Sequence, residues 1–171
     1  MPRASFGMVK TNSALDTPLR EQLERLAAFE PQGVPVVSLY LNLTPDQHGR
    51  DSYAQFCRKA FGERLKSFRE GSAEHASLER DVERINSYLE NELSRSSNGL
   101  ALFSSSGSGE FFEALQLDAT VAEHWLFIGE LPHLYPLAVL IEQYPRYAVV
   151  QLDTNRARIF VFGLGSVEKE K

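Results

Sequence analysis

The sequence predicts an α+β fold, in which a long helical hairpin packs on one face of a mostly antiparallel sheet and a β-hairpin follows at the C-terminal end. Two neighbouring helical patterns fill residues 51–94 and are separated by Gly71-Ser72. Short apolar segments before and after this pair are typical of strands; they are residues 34–43, 100–104, 110–117 and 125–129. Two further apolar segments, 147–152 and 157–162, flank a polar turn and predict the final hairpin.

The composition is that of a globular domain. The chain has 171 residues, of which 43% are hydrophobic and 24% are charged, and this length is enough for one domain with a core. A net charge of −5 and a pI of about 5.4 exclude a strongly basic nucleic-acid-binding protein, although they do not exclude a local basic face. Cys57 is the single cysteine, which excludes an intramolecular disulfide framework and a cysteine-cluster zinc site.

The sequence also indicates the cellular compartment of the protein. No apolar run approaches the roughly 18 residues that a membrane span requires. The N-terminus lacks the apolar segment of a secretory signal. We therefore expect a cytoplasmic protein without a membrane partner.

The first predicted elements are a helix and a strand. Thr17-Pro18 is typical of an N-cap followed by proline at the first helical position. Leu23 and Leu26 then recur at helical spacing until Pro31. The segment 34–43 is rich in β-branched and aromatic residues, which predicts a strand.

The helical hairpin has an apolar side and a charged side in each helix. We expect it to pack on the sheet through one apolar set: Phe56, Phe61, Leu65, Leu78, Val82, Ile85 and Leu89. The opposite side of the first helix is basic. Its cations are Arg58, Lys59, Lys66 and Arg69.

The remaining segments predict smaller elements. Residues 105–109, Ser-Ser-Gly-Ser-Gly, predict a flexible loop between two strands. A short helix at 137–144 ends at Pro145. We place a domain boundary there, so that residues 1–144 form the α+β domain and residues 145–171 hold the C-terminal hairpin. The charged tail at 167–171 is expected to fray.

The familiar patterns of catalytic and metal sites do not occur in the sequence. His48, His75, His124 and His133 have no metal-binding spacing, and we expect surface or hydrogen-bonded roles for them. Cys57 lies on the apolar side of its helix, which favours a core residue over a nucleophile. No phosphate-binding glycine loop or nucleophile-elbow motif is present. We therefore predict no catalytic residue, no metal site and no cofactor.

Asp153 is the most suggestive acidic residue, because it ends an apolar strand that is followed by an antiparallel partner. Ribonuclease-H-like nucleases carry a metal-binding carboxylate on such a hairpin. Two-metal chemistry needs several converging carboxylates, and only Glu168 and Glu170 follow in the sequence. A turn-forming role together with Asn155 is favoured, and a nuclease site is the alternative.

The basic side of the first hairpin helix is suited to RNA phosphates, with a further cation in the loop that precedes it. The candidate RNA-binding residues are therefore Arg50, Arg58, Lys59, Lys66 and Arg69. The alternative is an ordinary solvated helix surface. Aromatic side chains for base stacking do not interleave with these cations on that side of the helix.

The order of segments resembles a known family. The sequence VPVVSLYLNL precedes the helical hairpin, NGLALFSSSGSGEFFEALQL follows it, and LPHLYPLAVLIEQYPRYAVVQLDTNRARIFVFGLGSVE ends the similarity. Together they resemble the bacterial branch of the archaeo-eukaryotic class-1 peptide release factor family. The resemblance implies a domain similar to the family's codon-facing N-terminal domain, joined to the opening hairpin of a ribonuclease-H-like central domain.

Two functional motifs of that family are absent from this sequence. The Gly-Gly-Gln loop that promotes peptidyl-tRNA hydrolysis does not occur. The stop-codon motif Asn-Ile-Lys-Ser does not occur between the long helices, where the sequence reads FREGSAEH. The resemblance therefore implies neither hydrolysis nor stop-codon reading by this chain, and no catalytic residue is transferred from it.

Three functional hypotheses follow. The leading one is a non-catalytic module of a release-factor-like protein that associates with the ribosome or tRNA in translation termination or ribosome rescue. The alternatives are a nuclease fragment that uses Asp153 and a protein-interaction domain without a nucleic-acid partner. The apolar residues of the C-terminal hairpin further predict a homodimer through residues 146–163.

Overall fold

The computed structural model of the protein describes residues 8–9, 17–45, 52–144, 147–153, 156–163 and 166–170. It confirms the α+β class, with helices and two antiparallel sheets. The elements in chain order are β1 (Met8–Val9), α1 (Thr17–Ala27), β2 (Val36–Asn42), α2 (Tyr53–Leu65), α3 (Ala73–Asn91), β3 (Gly99–Ser105), β4 (Phe111–Leu117), β5 (Trp125–Gly129), α4 (Tyr135–Gln143), β6 (Tyr147–Leu152), β7 (Ala157–Gly163) and β8 (Ser166–Glu170).

The first sheet has the strand order β4-β3-β2-β5, and all its pairings are antiparallel. These are the four strands that the sequence predicts. Strands β2 and β3 occupy the centre, where Leu39 pairs with Leu102 on one side and with Leu126 on the other. A central strand is covered on both faces, which explains why β2 and β3 are apolar without a strict alternation.

One face of this sheet is covered by the helical hairpin, as predicted. Phe61 of α2 and Leu78 and Ile85 of α3 are buried in a cluster with Val37 and Leu39 of β2. The other predicted contact residues pack against the same cluster while partly buried; they are Phe56, Leu65, Val82 and Leu89. Full burial of each such apolar side chain contributes roughly 1.5–3 kcal/mol.

The opposite face of the first sheet is covered as well. Successive side chains of a strand point to opposite faces, so Tyr40 lies across the sheet from Leu39 and Leu41. It belongs to a second buried cluster with Leu26 of α1 and Leu137 of α4. The first sheet is thus the middle layer between two sets of helices.

The loop between β3 and β4, predicted to be flexible, is anchored to α3. Asp81 is fully buried, and its Oδ1 accepts hydrogen bonds from Ser104 Oγ at 2.5 Å and from the backbone N–H and hydroxyl of Ser106 at 2.8 and 2.7 Å. One turn earlier, Ser77 Oγ accepts from the backbone N–H of Gly107 at 2.9 Å. The loop is held in place because Asp81 and Ser77 of α3 accept the hydrogen bonds that a serine-rich loop otherwise makes with water.

The second sheet contains the predicted C-terminal hairpin and two further strands, in the order β1-β6-β7-β8. The expectation that residues 167–171 fray is wrong for the described part, because Ser166–Glu170 forms β8 and pairs antiparallel with β7. At the other edge, Met8 pairs with Val149 of β6. The division into domains 1–144 and 145–171 stays a prediction.

None of the helices among the described residues is long and apolar enough to cross a membrane.

Candidate nucleic-acid interface

The predicted basic face is exposed in the structure. Arg58 and Lys59 lie in α2, Lys66 is its C-cap residue, and Arg69 lies in the connection to α3. All four side chains are solvent-exposed, and none forms an ion pair with another described residue. Arg50, the fifth predicted residue, lies outside the described residues. Four of the five cations are therefore available to a polyanion.

A cleft of about 640 Å³ lies between α2 and β5, next to this basic face. β5 is an edge strand whose neighbour in the sheet is β2. One side of the cleft comes from a single face of α2, at the spacing of successive helical turns; its residues are Phe56, Ala60, Glu63, Arg64 and Ser67. The other side comes from the start of β5 and the residues before it, namely Glu123, His124, Trp125, Leu126 and Phe127.

Aromatic rings form a stack at the β5 edge, on the face of the sheet opposite α2, because Phe127 packs against the second buried cluster whereas Leu126 and Ile128 pack against the first. Trp125 and Phe127 are stacked with ring centroids 5.4 Å apart and an interplanar angle of 28°. The Phe127 ring is stacked in turn on His133, at 3.8 Å and 25°. Trp125 is 42% exposed. An exposed indole at the end of a supported stack is a surface on which a planar ligand can bind.

The basic face and the cleft are adjacent on α2. Lys59 precedes Glu63 by four residues and Lys66 follows it by three, and residues at these spacings are neighbours on a helix surface. The sequence analysis missed this proximity, because it looked for aromatic residues among the cations of one helix. Trp125 and Phe127 come from β5, more than fifty residues later, and only the packing of β5 beside α2 brings them to the same edge of the fold as the cations.

The polar groups of the cleft are of both signs. Glu63 and Glu123 supply acceptors, whereas Arg64 and the Ser67 hydroxyl supply donors. Carboxylates repel phosphates but accept hydrogen bonds from the amino groups of bases. The cleft is therefore better suited to the edge of a base than to a phosphate, and the cations at its rim are better suited to the phosphates.

His124 joins three elements at one end of the cleft. Its Nδ1 accepts a hydrogen bond from the backbone N–H of Asn42 at 3.2 Å. Its Nε2 lies 2.8 Å from the hydroxyl of Ser52, the N-cap residue of α2. Its ring is stacked on Phe56, with centroids 5.1 Å apart. Burial lowers the pKa of the His124 imidazole.

Two other described histidines also have the hydrogen-bonded or surface roles that the sequence predicts. His75 lies 3.4 Å from the carboxylate of Glu79 on the next turn of α3. The backbone N–H of His133 donates to Ser38 Oγ at 2.9 Å, and its carbonyl accepts from the Tyr40 hydroxyl at 2.6 Å. His48 lies outside the described residues.

Cys57 is a core residue, as predicted. The side chain is buried among apolar residues. Burial raises the pKa of its thiol to about 12. Because the thiolate is the nucleophilic form, this cysteine is unreactive at neutral pH.

Asp153 is exposed at the turn between β6 and β7. Its backbone N–H donates to the Arg156 carbonyl at 2.9 Å, which closes the turn. A small depression beside it is lined by Gln151, Arg156 and Arg158, so its neighbours there are cations and not further carboxylates. Within the described ranges, no three His, Cys, Asp or Glu side chains converge as a metal site.

Comparison with protein families identifies the C-terminal segment. Residues 132–171 match the model of Bacterial archaeo-eukaryotic release factor family 10. The match covers α4 and the strands β6 to β8, and over this segment it confirms the resemblance to the bacterial branch of the archaeo-eukaryotic release factors. It supports, coarsely, a release-factor-like role in translation. No curated protein matches the chain.

Proposed function

We propose that this chain is a non-catalytic module of a release-factor-like protein, and that it associates with the ribosome or with tRNA in the cytoplasm during translation termination or ribosome rescue. In this proposal the basic face of α2 binds RNA phosphates, and the cleft between α2 and β5 holds an unpaired base. The family match at residues 132–171 supports the translational setting. The observation that carries the RNA contact is the exposed Trp125 at the β5 edge, which lies next to the cation-bearing helix α2.

The phosphate contact is argued from charge and exposure. Arg58, Lys59, Lys66 and Arg69 are exposed cations in a chain whose net charge is −5. A chain of this net charge does not attract RNA over its whole surface, so binding has to be local. Lysine and arginine at a phosphate release counterions, which makes such binding strongly dependent on salt.

The base contact is argued from the cleft. Sequence-specific RNA recognition uses unpaired bases that stack on aromatic rings and form hydrogen bonds along their edges. Trp125 offers an exposed ring across the β5 edge from the cleft, and Glu63, Arg64 and Ser67 line the cleft with acceptors and donors. Stacking of one base on an aromatic side chain contributes roughly 1–3 kcal/mol.

A salt titration of binding to ribosomes and to structured RNA tests the phosphate contact. We expect the charge-reversed variant Lys59→Glu/Lys66→Glu to bind much more weakly than the wild type. Its affinity is also expected to depend less on salt, by about 1.5 in the slope of log K against log salt, because two phosphate contacts are lost. The matched control is Arg80→Glu/Arg95→Glu, which makes the same change in net charge at exposed cations away from α2.

Other outcomes would favour the other hypotheses. Binding that does not change with salt, or that is equally weakened by the control variant, contradicts the RNA contact and favours a protein-interaction domain. Metal-dependent cleavage of RNA that is lost in Asp153→Asn favours the nuclease.

We further propose that two copies of the chain associate through the second sheet, at residues 146–163. Leu152 and Ile159 are 64% and 41% exposed. They lie on one face, because Val150 pairs with Ile159 and Leu152 pairs with Ala157. A twofold axis lets such an apolar face be covered by its own copy.

A further inference from the structure

We infer that His124 is a positioning residue of the cleft: its neutral imidazole fastens the start of α2 to the ends of β2 and β5, and protonation releases that fastening. The contacts of His124 are observed in the structure of the chain itself. Its consequence for RNA binding rests on the proposed function.

The three partners of His124 come from three elements. Asn42 is the last residue of β2, Ser52 is the N-cap residue of α2, and Phe56 lies in the first turn of α2. His124 itself immediately precedes β5. The end of β2 and the start of α2 therefore meet the start of β5 at this side chain.

The start of α2 depends on this contact, because it lacks the usual local one. Ser52 makes no side-chain cap hydrogen bond to its own helix, although serine at an N-cap normally accepts one from the helix backbone. Its hydroxyl lies 2.8 Å from His124 Nε2. By contrast, Ser72 at the start of α3 accepts from the backbone N–H of His75 at 3.2 Å.

The hydrogen bonds determine the protonation state of the ring. The backbone N–H of Asn42 can only donate, so Nδ1 of His124 has to accept and carries no proton. The proton of the neutral ring is then on Nε2, from which it is donated to the Ser52 hydroxyl. In the imidazolium both nitrogens carry protons, and Nδ1–H would face the N–H of Asn42. Protonation and the Asn42 hydrogen bond therefore exclude each other.

The charged groups around the His124 ring have opposite effects on its protonation. On the α2 side the cleft contains Glu63, whose carboxylate favours the imidazolium, and Arg64, which disfavours it. Glu123 precedes His124 in the chain and also lines the cleft. β2 contributes the uncharged Asn42. Burial against the Phe56 ring disfavours the charged form, in agreement with the lowered pKa of His124.

The consequence reaches the stacking surface, because Trp125 is the next residue. When the ring is protonated, the Asn42 hydrogen bond is lost while Nε2–H still donates to Ser52, so this ring no longer ties the start of α2 to the end of β2. A histidine with a lowered pKa in the folded state contributes stability at neutral pH and loses it as the pH falls through that pKa. We therefore expect a cleft that is formed at neutral pH and opens in acid.

The experiment uses the full chain without RNA. Trp125 is the single tryptophan, so its fluorescence reports on the start of β5, immediately after His124. We expect the emission of the wild type to change in one transition whose midpoint lies below about pH 6.5, the usual pKa of histidine. His124→Gln is expected to abolish the transition, whereas the control His133→Gln, which alters the other stacked histidine, is expected to retain it.

Nuclear magnetic resonance of the wild type gives a second test that does not depend on whether a variant folds. The backbone amide of Asn42 is expected to shift together with the His124 ring nitrogens. The inference is overturned if the transition persists in His124→Gln, or if the His124 ring titrates while the Asn42 amide does not change.

RNA affinity measured over the same pH range separates the two proposals. Both proposals are supported if the wild type loses RNA affinity along with the fluorescence transition and His124→Gln loses little affinity over the same pH range. A fluorescence transition in a chain that binds no RNA at any pH supports the role of His124 and contradicts the proposed function.

Discussion

The buried carboxylate of Asp81 shows how one residue anchors a loop. Its Oδ1 accepts three hydrogen bonds from Ser104 and Ser106, whereas its Oδ2 has no partner among the described residues. Burial raises the pKa of Asp81, against the lowering effect of the serine hydrogen bonds and of the charge of Arg84. A buried ionised group without a cation as direct partner is costly, so the folded state favours the protonated acid.

The first prediction concerns this carboxylate. Asp81→Ala is expected to lower the free energy of unfolding by about 2–5 kcal/mol, since the buried donors of Ser104 and Ser106 lose their acceptor. Because the pKa of Asp81 is raised on folding, its contribution to stability is largest in acid and decreases as the pH rises through that pKa. The difference between wild type and Asp81→Ala in urea unfolding should therefore decrease from acid to neutral pH. The exposed control Asp118→Asn should change stability little, and a difference that grows with pH would contradict the assignment.

The second prediction compares two glycines. A Cβ at Gly107 would lie 2.7 Å from Val34 Cγ2 and 3.0 Å from Ser77 Oγ, whereas a Cβ at Gly62 in α2 meets no atom within 4 Å. We expect Gly107→Ala to destabilise the fold by about 1–3 kcal/mol through overpacking. Gly62→Ala is expected to stabilise it by about 0.5–1 kcal/mol, because alanine is the better helix former. Thermal unfolding measures both, and equal effects of the two changes would show that the anchored loop is not tightly packed.

At the scale of elements, the contact of α2 with β5 creates the candidate site. Neither element contains the site by itself, because α2 supplies the cations and one side of the cleft while β5 supplies the aromatic stack. Leu126 and Ile128 of β5 pack against the cluster that holds α2 and α3. The core contacts therefore place the edge strand beside the helix, and the exposed residues of β5 are then available to a ligand.

The third prediction tests the stacking surface of β5. Trp125→Ala is expected to weaken RNA binding about 5- to 150-fold, the equivalent of roughly 1–3 kcal/mol for one stacked base. Its salt dependence should not change, because no phosphate contact is removed. The control Tyr135→Ala removes an aromatic ring that is 71% exposed and lies in α4, outside the cleft. Equilibrium fluorescence anisotropy with labelled RNA measures both, and an equal loss in the control would argue against a specific stacking site.

At the scale of the whole molecule, the two sheets differ in how completely they are covered. β2 and β3 are buried along most of their length. In the second sheet Val161 is buried, but Leu152 and Ile159 are exposed on the same face. An apolar face that is open at one end is an association surface when a second copy can cover it.

The fourth prediction tests association through that face. We expect light scattering at micromolar concentration to give a mass near twice 19.3 kDa for the wild type. Leu152→Lys/Ile159→Lys should give the monomer mass, because two buried charges oppose the interface. Leu131→Lys, at a residue 58% exposed outside the second sheet, is the matched control and should remain a dimer. A wild type that scatters as a 19.3 kDa monomer would exclude the proposal.

How much of the fold could be predicted from the sequence depends on how far apart in the chain the interacting residues lie. The helical hairpin and the four strands of the first sheet were predictable, because apolar periodicity and turn residues act within a few positions of one another. The extension of the second sheet was not, since β1 pairs residues 8 and 149, which are separated by most of the chain. The strand β8 was missed because its charged sequence is typical of a frayed end, whereas its backbone pairs with β7.

The sequence by itself determined the helices, the strands of the first sheet and of the C-terminal hairpin, the side of α2 and α3 that faces the sheet, the position of the exposed cations and the family resemblance. These follow from local periodicity, from charge and from residue order. Only the tertiary structure decided that the strand of Trp125 lies beside the helix of those cations, that Asp81 anchors the serine loop and that His124 joins three elements. Such contacts depend on how layers pack against one another, and the residues that meet there are 23 to 82 positions apart where hydrogen bonds join them. Spacing along the chain carries no signal at that distance.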